Sequence, residues 1–169
     1  MASSSKKERG LQTKDAKPPD IAADEQATLL AFLDYLRDAI AAKAEGLSDE
    51  DIRAAGMPSG TSILGLIKHL AFVERFYFLG EDVRDWGKTM GPTPEETAEG
   101  LLANYREAVA QANQVVEACT DLTLPAPRPP RRRSGPSMRW VLVHMVEETG
   151  RHAGHADIIR EQIDGSKGR

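Results

Sequence analysis

The chain contains four histidines, and three of them, His144, His152 and His155, crowd into one C-terminal segment together with Glu148. An α-helix turns by about 100° per residue, which places His144, Glu148, His152 and His155 in a stripe roughly 80° wide. Imidazole and carboxylate on one helical face, completed by an imidazole from a second helix, is how a bundle builds a three-ligand divalent metal site with an open position. His69 is the remaining histidine and the candidate second-helix donor. Its neighbours at i−4, i−3, i+4 and i+7 are Gly65, Leu66, Val73 and Phe76, so its ring is expected to face the interior. An inward histidine taken alone is commonly a core residue bonded to a carbonyl or a carboxylate. Glu148 on a facing core helix shifts the balance, because a buried carboxylate is costly unless a cation or a donor neutralises it. At this point a metal site and a purely structural network of polar groups both stand.

The elements that must position these groups are legible as helices. With 169 residues, 40% hydrophobic, the chain is the size of one domain with a continuous core. A net charge of −4 offers no global recruitment of nucleic acid or an anionic membrane, and neither is expected as a partner. The single cysteine, Cys119, cannot form an internal disulfide, and no apolar run has the length of a signal peptide or membrane span. A cytoplasmic location is expected. Residues 1–22 are small, charged and proline-containing and read as a disordered tail, residues 23–164 as the helical domain, and 165–169 as a C-terminal tail.

Leu29, Leu30, Leu33, Leu36 and Ile40 recur at helical spacing and predict a first helix from about Asp24 to Gly46. A polar, breaker-rich stretch then leads to Thr61 or Ser62, either of which can cap a second helix that carries His69 and runs to about Gly80. Thr93-Pro94-Glu95-Glu96 has the residues of a capping box and predicts the start of a third helix reaching Cys119. Ser137 opens the last helix, which runs to about Ile163. Between them, residues 121–137 are too rich in proline for a helix; Arg128 and Arg131 to Arg133 there are available to an acidic ligand, although a solvated loop explains them as well. No strand-like alternation competes. The expected fold is all-α, a four-helix bundle with long connecting loops.

Ser62-Ile63-Leu64-Gly65-Leu66-Ile67-Lys68-His69-Leu70, followed by Glu74-Arg75-Phe76-Tyr77, resembles the second-helix signature of the DinB-like superfamily of four-helix metalloproteins. Met138-Arg139-Trp140-Val141-Leu142-Val143-His144, then Glu147-Glu148-Thr149 and Arg151-His152-Ala153-Gly154-His155, resembles the branch related to mycothiol-dependent maleylpyruvate isomerases and thiol S-transferases. The resemblance covers residues 24 to 164. Many members use three histidines; here the earlier ligand position of the last helix is Glu148, as in the isomerase branch, so the resemblance implies a metal on His69, Glu148 and His152. A glutamine common three positions after the last ligand is His155 in this chain.

Two imidazoles and one carboxylate suit zinc, with nickel, manganese and iron also compatible. Cys119 reads as a small core residue, so a nucleophilic sulfur has to come from outside, as the resemblance to mycothiol enzymes implies. The expected activity is a metal-dependent, thiol-dependent S-transfer or isomerisation of a small electrophile, with His155 or His144 moving a proton and Arg151 holding a carboxylate or orienting the site. Two alternatives are a metal-dependent hydrolase that uses metal-bound water and a non-catalytic metal- or ligand-binding bundle. Arg151 has a plainer role open to it, pairing with Glu147 on the helix surface. Trp140 and Tyr77 are expected at the edge of the core, and Glu74 and Arg75 against solvent or a neighbouring helix. A homodimer is left open.

Overall fold

The computed structural model of the chain describes residues 17–129 and 135–167. Among these residues five α-helices form and no strand: α1 (Glu25–Ala42), α2 (Asp49–Arg53), α3 (Ile63–Phe78), α4 (Ala98–Glu117) and α5 (Met138–Asp164). Four are the long helices of an all-α bundle; α2 is a single extra turn. The expected tail over residues 1–22 lies outside the described residues as far as residue 16, and the arginines at 131–133 also lie outside them.

Side-chain oxygens start the helices where the sequence places them. Asp24 accepts from Ala27 N at 2.8 Å, Ser62 from Gly65 N at 3.1 Å and Ser137 from Trp140 N at 3.3 Å. Each bond satisfies an amide that the first turn would otherwise leave open, a contribution of about 1 kcal/mol. Gly165, at φ 78°, closes α5 with its N–H on Glu161 O, a left-handed conformation that glycine adopts without a Cβ penalty. α2 is absent from the sequence expectation because five residues are too few to show a period. Ser48 caps it, and three acidic residues in its first turn face the positive end of the helix dipole.

The start of α4 corrects the expectation. The helix begins at Ala98, capped by Thr97, and not at Thr93. Glu96 Oε2 does accept from Thr93 N at 2.6 Å. Arg53, however, donates to the carbonyl oxygens of both Thr93 and Glu96, and Lys68 holds the Glu96 carboxylate at 2.8 Å. Those partners close residues 93–96 as a turn, with Glu96 N on Thr93 O, and the helix starts at the next available cap.

α3 packs on α4, α1 on α5, and α3 also meets α5. The core is two apolar clusters stacked along the bundle. One is built around Ile40, Leu66, Leu70, Tyr105 and Ile159, the other around Leu33, Phe78, Val116, Leu142 and Met145. The second extends beneath the 121–137 connection, whose ends are tied together by Ala126 N on Pro136 O and Met138 N on Leu124 O, both at 2.9 Å. Polar groups sit at the level between the two clusters, on α1, α3 and α5.

Candidate metal and thiol site

His69 lies midway along α3, where almost every neighbour is buried, and Glu148 and His152 lie one turn apart on α5, between Met145 and Ala153 of the two apolar clusters. These three side chains converge: one ligand atom from each lies within 4.8 Å of the others. Glu148 Oε1 stands 3.1 Å from His152 Nε2 and 3.5 Å from His69 Nε2, and the two rings meet nearly edge to face with centroids 5.1 Å apart. All three are mostly buried.

The protons on His69 can be assigned from its other edge. Thr89 Oγ1 donates its one hydrogen to the carbonyl of Trp86 at 2.7 Å. It therefore accepts from His69 Nδ1–H, at 2.7 Å, because a hydroxyl has one proton to give. In neutral His69 that leaves Nε2 as a bare lone pair aimed at the Glu148 carboxylate. Hydrogen bonds from the imidazoles, that of His152 first and that of His69 when its Nε2 carries a proton, hold the Glu148 carboxyl well below the usual carboxylate range, against the burial that would raise it. A lone pair and an ionised oxygen at 3.5 Å repel unless something positive stands between them. A proton or a metal ion can fill that role.

His152 is oriented differently. Its Nδ1 is buried without a hydrogen-bond partner among the described residues, as is Thr149 Oγ1. Nothing on that edge dictates its tautomer, so Nε2 can serve as donor to Glu148 or as a ligand. The donor set of two imidazoles and one carboxylate fits a divalent ion such as zinc, and Thr89 supplies the outer hydrogen bond that such a site uses to fix a ligand ring.

Thr89 was not among the residues singled out from sequence. It lies in a 3-10 turn, Gly87–Met90, in the connection between α3 and α4. The turn can approach α3 because residue 65 is glycine: a Cβ there would collide with the carbonyl oxygen of Met90. Lys68 adds a second tie, donating to Gly91 O at 3.0 Å and to Glu96 at 2.8 Å. Gly65, Lys68 and His69 are thus neighbours in one role, since the first two hold the turn that orients the third.

The other candidates surround the triad. His155 is half-buried, its ring centroid 5.8 Å from that of His152. His144, one turn before Glu148, is engaged by other partners: it stacks on Trp140 at 4.9 Å, meets Tyr77 at 5.0 Å and has Glu147 at 3.7 Å. Arg151 is exposed and pairs with Glu147, as the plainer expectation has it, while a second nitrogen stands 3.3 Å from Glu148 Oε2. Cys119 is half-buried at the margin of the core, with its thiol donating to Asp121 O at 3.4 Å, and it is not part of the group. An open cleft of about 580 Å³ beside Arg53, Ser62 and Met90 touches none of these residues; it reflects the gap between α2 and the 91–94 connection.

No helix among the described residues is long and apolar enough to cross a membrane. A comparison with curated proteins returns no match. The family model described as mycothiol-S-transferase, by contrast, matches residues 28–165, which include every helix bearing the triad from its first ligand to its last. The all-helical bundle is consistent with that match, and the chain belongs to the mycothiol-S-transferase family of DinB-like proteins.

Proposed function

We propose that the protein transfers a small electrophile to a mycothiol-type thiol at a divalent metal site formed by His69, Glu148 and His152. Family membership supports the thiol-dependent transfer. The observation that carries the metal is the confrontation of His69 Nε2 with the Glu148 carboxylate at 3.5 Å, enforced by Thr89 and Trp86 on the far edge of the ring. A divalent ion bound there lowers the proton affinity of a thiol, so that sulfur is presented as thiolate near neutral pH.

The chain's own residues do the rest. Thr89 keeps His69 Nδ1 protonated and Nε2 directed inward. Arg151 holds the outer oxygen of Glu148, leaving the inner one for the site. The thiol proton passes to His155 or His144, both neutral imidazoles when they accept it; sulfur then forms a bond to the electrophilic carbon, and the leaving group departs with a proton or, in an isomerisation, the same sulfur is later expelled. His155, beside His152, is the better placed of the two.

The test is a cobalt-substituted sample titrated with mycothiol. Sulfur entering an open position changes the ligand field, so the visible spectrum should shift with saturable dependence on the thiol. A spectrum unmoved by saturating mycothiol, together with thiol-independent hydrolysis of an ester or amide panel, would replace this reading with the hydrolase. A chain that holds no metal under any condition leaves the histidines as a protonated structural network.

A further inference from the structure

A run of rings in contact leads away from the triad. His69 meets Trp86 at 5.9 Å, Trp86 meets Phe76 at 5.2 Å, Phe76 meets Tyr77 at 5.0 Å, and Tyr77 meets His144, which carries Trp140 stacked upon it. Trp140 is 48% exposed, large for a residue whose ring is already half engaged. Tyr77 and Trp140 are each eight residues from a triad member on the same helix, a distance of about 12 Å at the helical rise per residue.

Over this run stands a cation with no counter-charge among the described residues. The Arg128 guanidinium lies 5.3 Å from the Phe76 ring centre and 5.6 Å from that of Tyr77. Its Nε is shut off from solvent and has no hydrogen-bond partner among the described residues. The ion pairs formed by arginines there involve other residues. Contact with two ring faces offsets part of the cost of half-burying a guanidinium, but it satisfies none of the N–H donors. The surrounding sequence deepens the imbalance: from Leu122 to Val146 there are five arginines and no acidic residue, in a chain whose net charge is −4. Arg139 is matched by Glu25 at 2.7 Å; Arg128, over the Phe76 and Tyr77 rings, has no such match among the described residues.

We propose that Arg128 binds the carboxylate of the electrophilic substrate, whose flat unsaturated body lies along Tyr77 and Trp140 with its reactive carbon toward the triad. This assignment rests on the thiol-transfer reading for the word electrophile, while the anion subsite itself depends only on Arg128 and the rings. A guanidinium offers paired N–H donors that match a carboxylate, and the surrounding aromatic faces favour a planar neighbour over a saturated one. A planar unsaturated acid such as an arylacrylate has both features, a carboxylate for the guanidinium and a flat body for the rings.

The test is calorimetric titration of metal-loaded protein with trans-cinnamate and, in parallel, with neutral cinnamamide. Cinnamate should bind wild type more tightly than the amide does. Arg128→Gln should weaken cinnamate tenfold or more and leave the amide unchanged, Arg128→Lys should recover part of the loss, and Arg139→Gln, which alters a matched arginine nearby, should do nothing. Cinnamate that binds wild type no better than the amide, or equally well to wild type and Arg128→Gln, overturns the proposal. So does an equal loss of both probes in the Gln and Lys variants, which would assign Arg128 to packing of the loop. Mycothiol is titrated into the same samples: if its affinity falls in Arg128→Gln while that of cinnamate does not, the residue serves the thiol and the assignment is wrong. A cobalt spectrum unmoved by mycothiol with cinnamate still dependent on Arg128 sinks the thiol reading and leaves the carboxylate subsite standing.

Discussion

Two polar clusters interrupt the apolar core at the same level of the bundle, and they are built on opposite logic. Arg37 of α1 donates Nε and Nη2 to the two oxygens of Glu74 on α3, at 2.8 and 2.6 Å, and Nη1 to Asp34 and to Asn113. Asn113 returns a bond to Asp34, and Phe78 lies beneath the guanidinium. Glu74 and Arg37 are almost wholly shielded from solvent. Glu74 and Asp34 raise the proton affinity of Arg37 above its own desolvation, while burial pushes the Glu74 carboxyl up despite Arg37. Arg37 and Glu74 there satisfy each other directly, although the buried Tyr105 hydroxyl, within reach of their charges, has no hydrogen-bond partner among the described residues. Around His69, by contrast, an acceptor faces an acceptor, and His152 Nδ1 has no partner among the described residues. His69 and Glu74 are only five residues apart on α3, about 140° around the helix. The lesson is that burial and charge alone do not mark a ligand site; a polar cluster that cannot satisfy itself does.

The sharpest way to break this contrast is His152→Ala. It should abolish stoichiometric metal binding, read by elemental analysis, with far-UV circular dichroism nearly unchanged; metal content equal to wild type removes His152 from the site. In the Arg37 and Glu74 cluster the expected response is the reverse. Glu74→Leu should cost about 3–5 kcal/mol of folding stability by leaving Arg37 buried and unpaired, while the folded fraction still binds metal. The double change Glu74→Leu with Arg37→Met should recover most of that loss in denaturant melts, and a double variant as unstable as the single one would show that the pair contributes more than its own neutralisation.

Smaller effects sharpen the role of the outer hydrogen bond. Thr89→Val keeps the shape but leaves His69 Nδ1–H without its acceptor, so metal affinity should fall about 10–100-fold; an unchanged dissociation constant would sever Thr89 from the site. Gly65→Ala should act on the same bond from a distance by pushing the Gly87–Met90 turn off α3.

The pH response is the mildest. Because the Glu148 carboxyl is depressed, it stays ionised well below neutrality, and any stability it contributes is present above the unfolded carboxylate value of about 4.3 and lost only as pH falls through its lower folded value. Metal affinity should therefore be steady above about pH 7.5 and fall as protons compete for imidazole, whose free value is about 6.5. A flat profile between pH 5 and 8 would mean that the histidines do not coordinate.

Much of the frame was readable in the residues themselves. Asp24, Ser62 and Ser137 announce their helices because a capping oxygen acts on amides two or three positions away, and the apolar repeat around His69 tells which way its ring points, because helical periodicity is a local property. The i, i+4 spacing of Glu148 and His152 likewise sets them on one face before any tertiary contact exists. The family resemblance carried by those same segments supplied the pairing with His69. What the sequence could not disclose depends on distant partners. Arg37 sits among polar residues of α1 yet is buried, since Glu74, 37 positions later, neutralises it. Thr93–Glu96 has the residues of a helix start yet closes as a turn, because Arg53 and Lys68 take its carbonyls and its carboxylate. Thr89 and Arg128 lie in connections with no period to read; the basic cluster marks Arg128 as available to an acidic ligand, but its seat over two ring faces of α3, like the approach of the Thr89 turn past Gly65, comes from packing. Local spacing thus determined which groups share a face. Only the folded chain decided which of them are left unsatisfied, because that depends on every donor and acceptor that packing brings within about 3 Å.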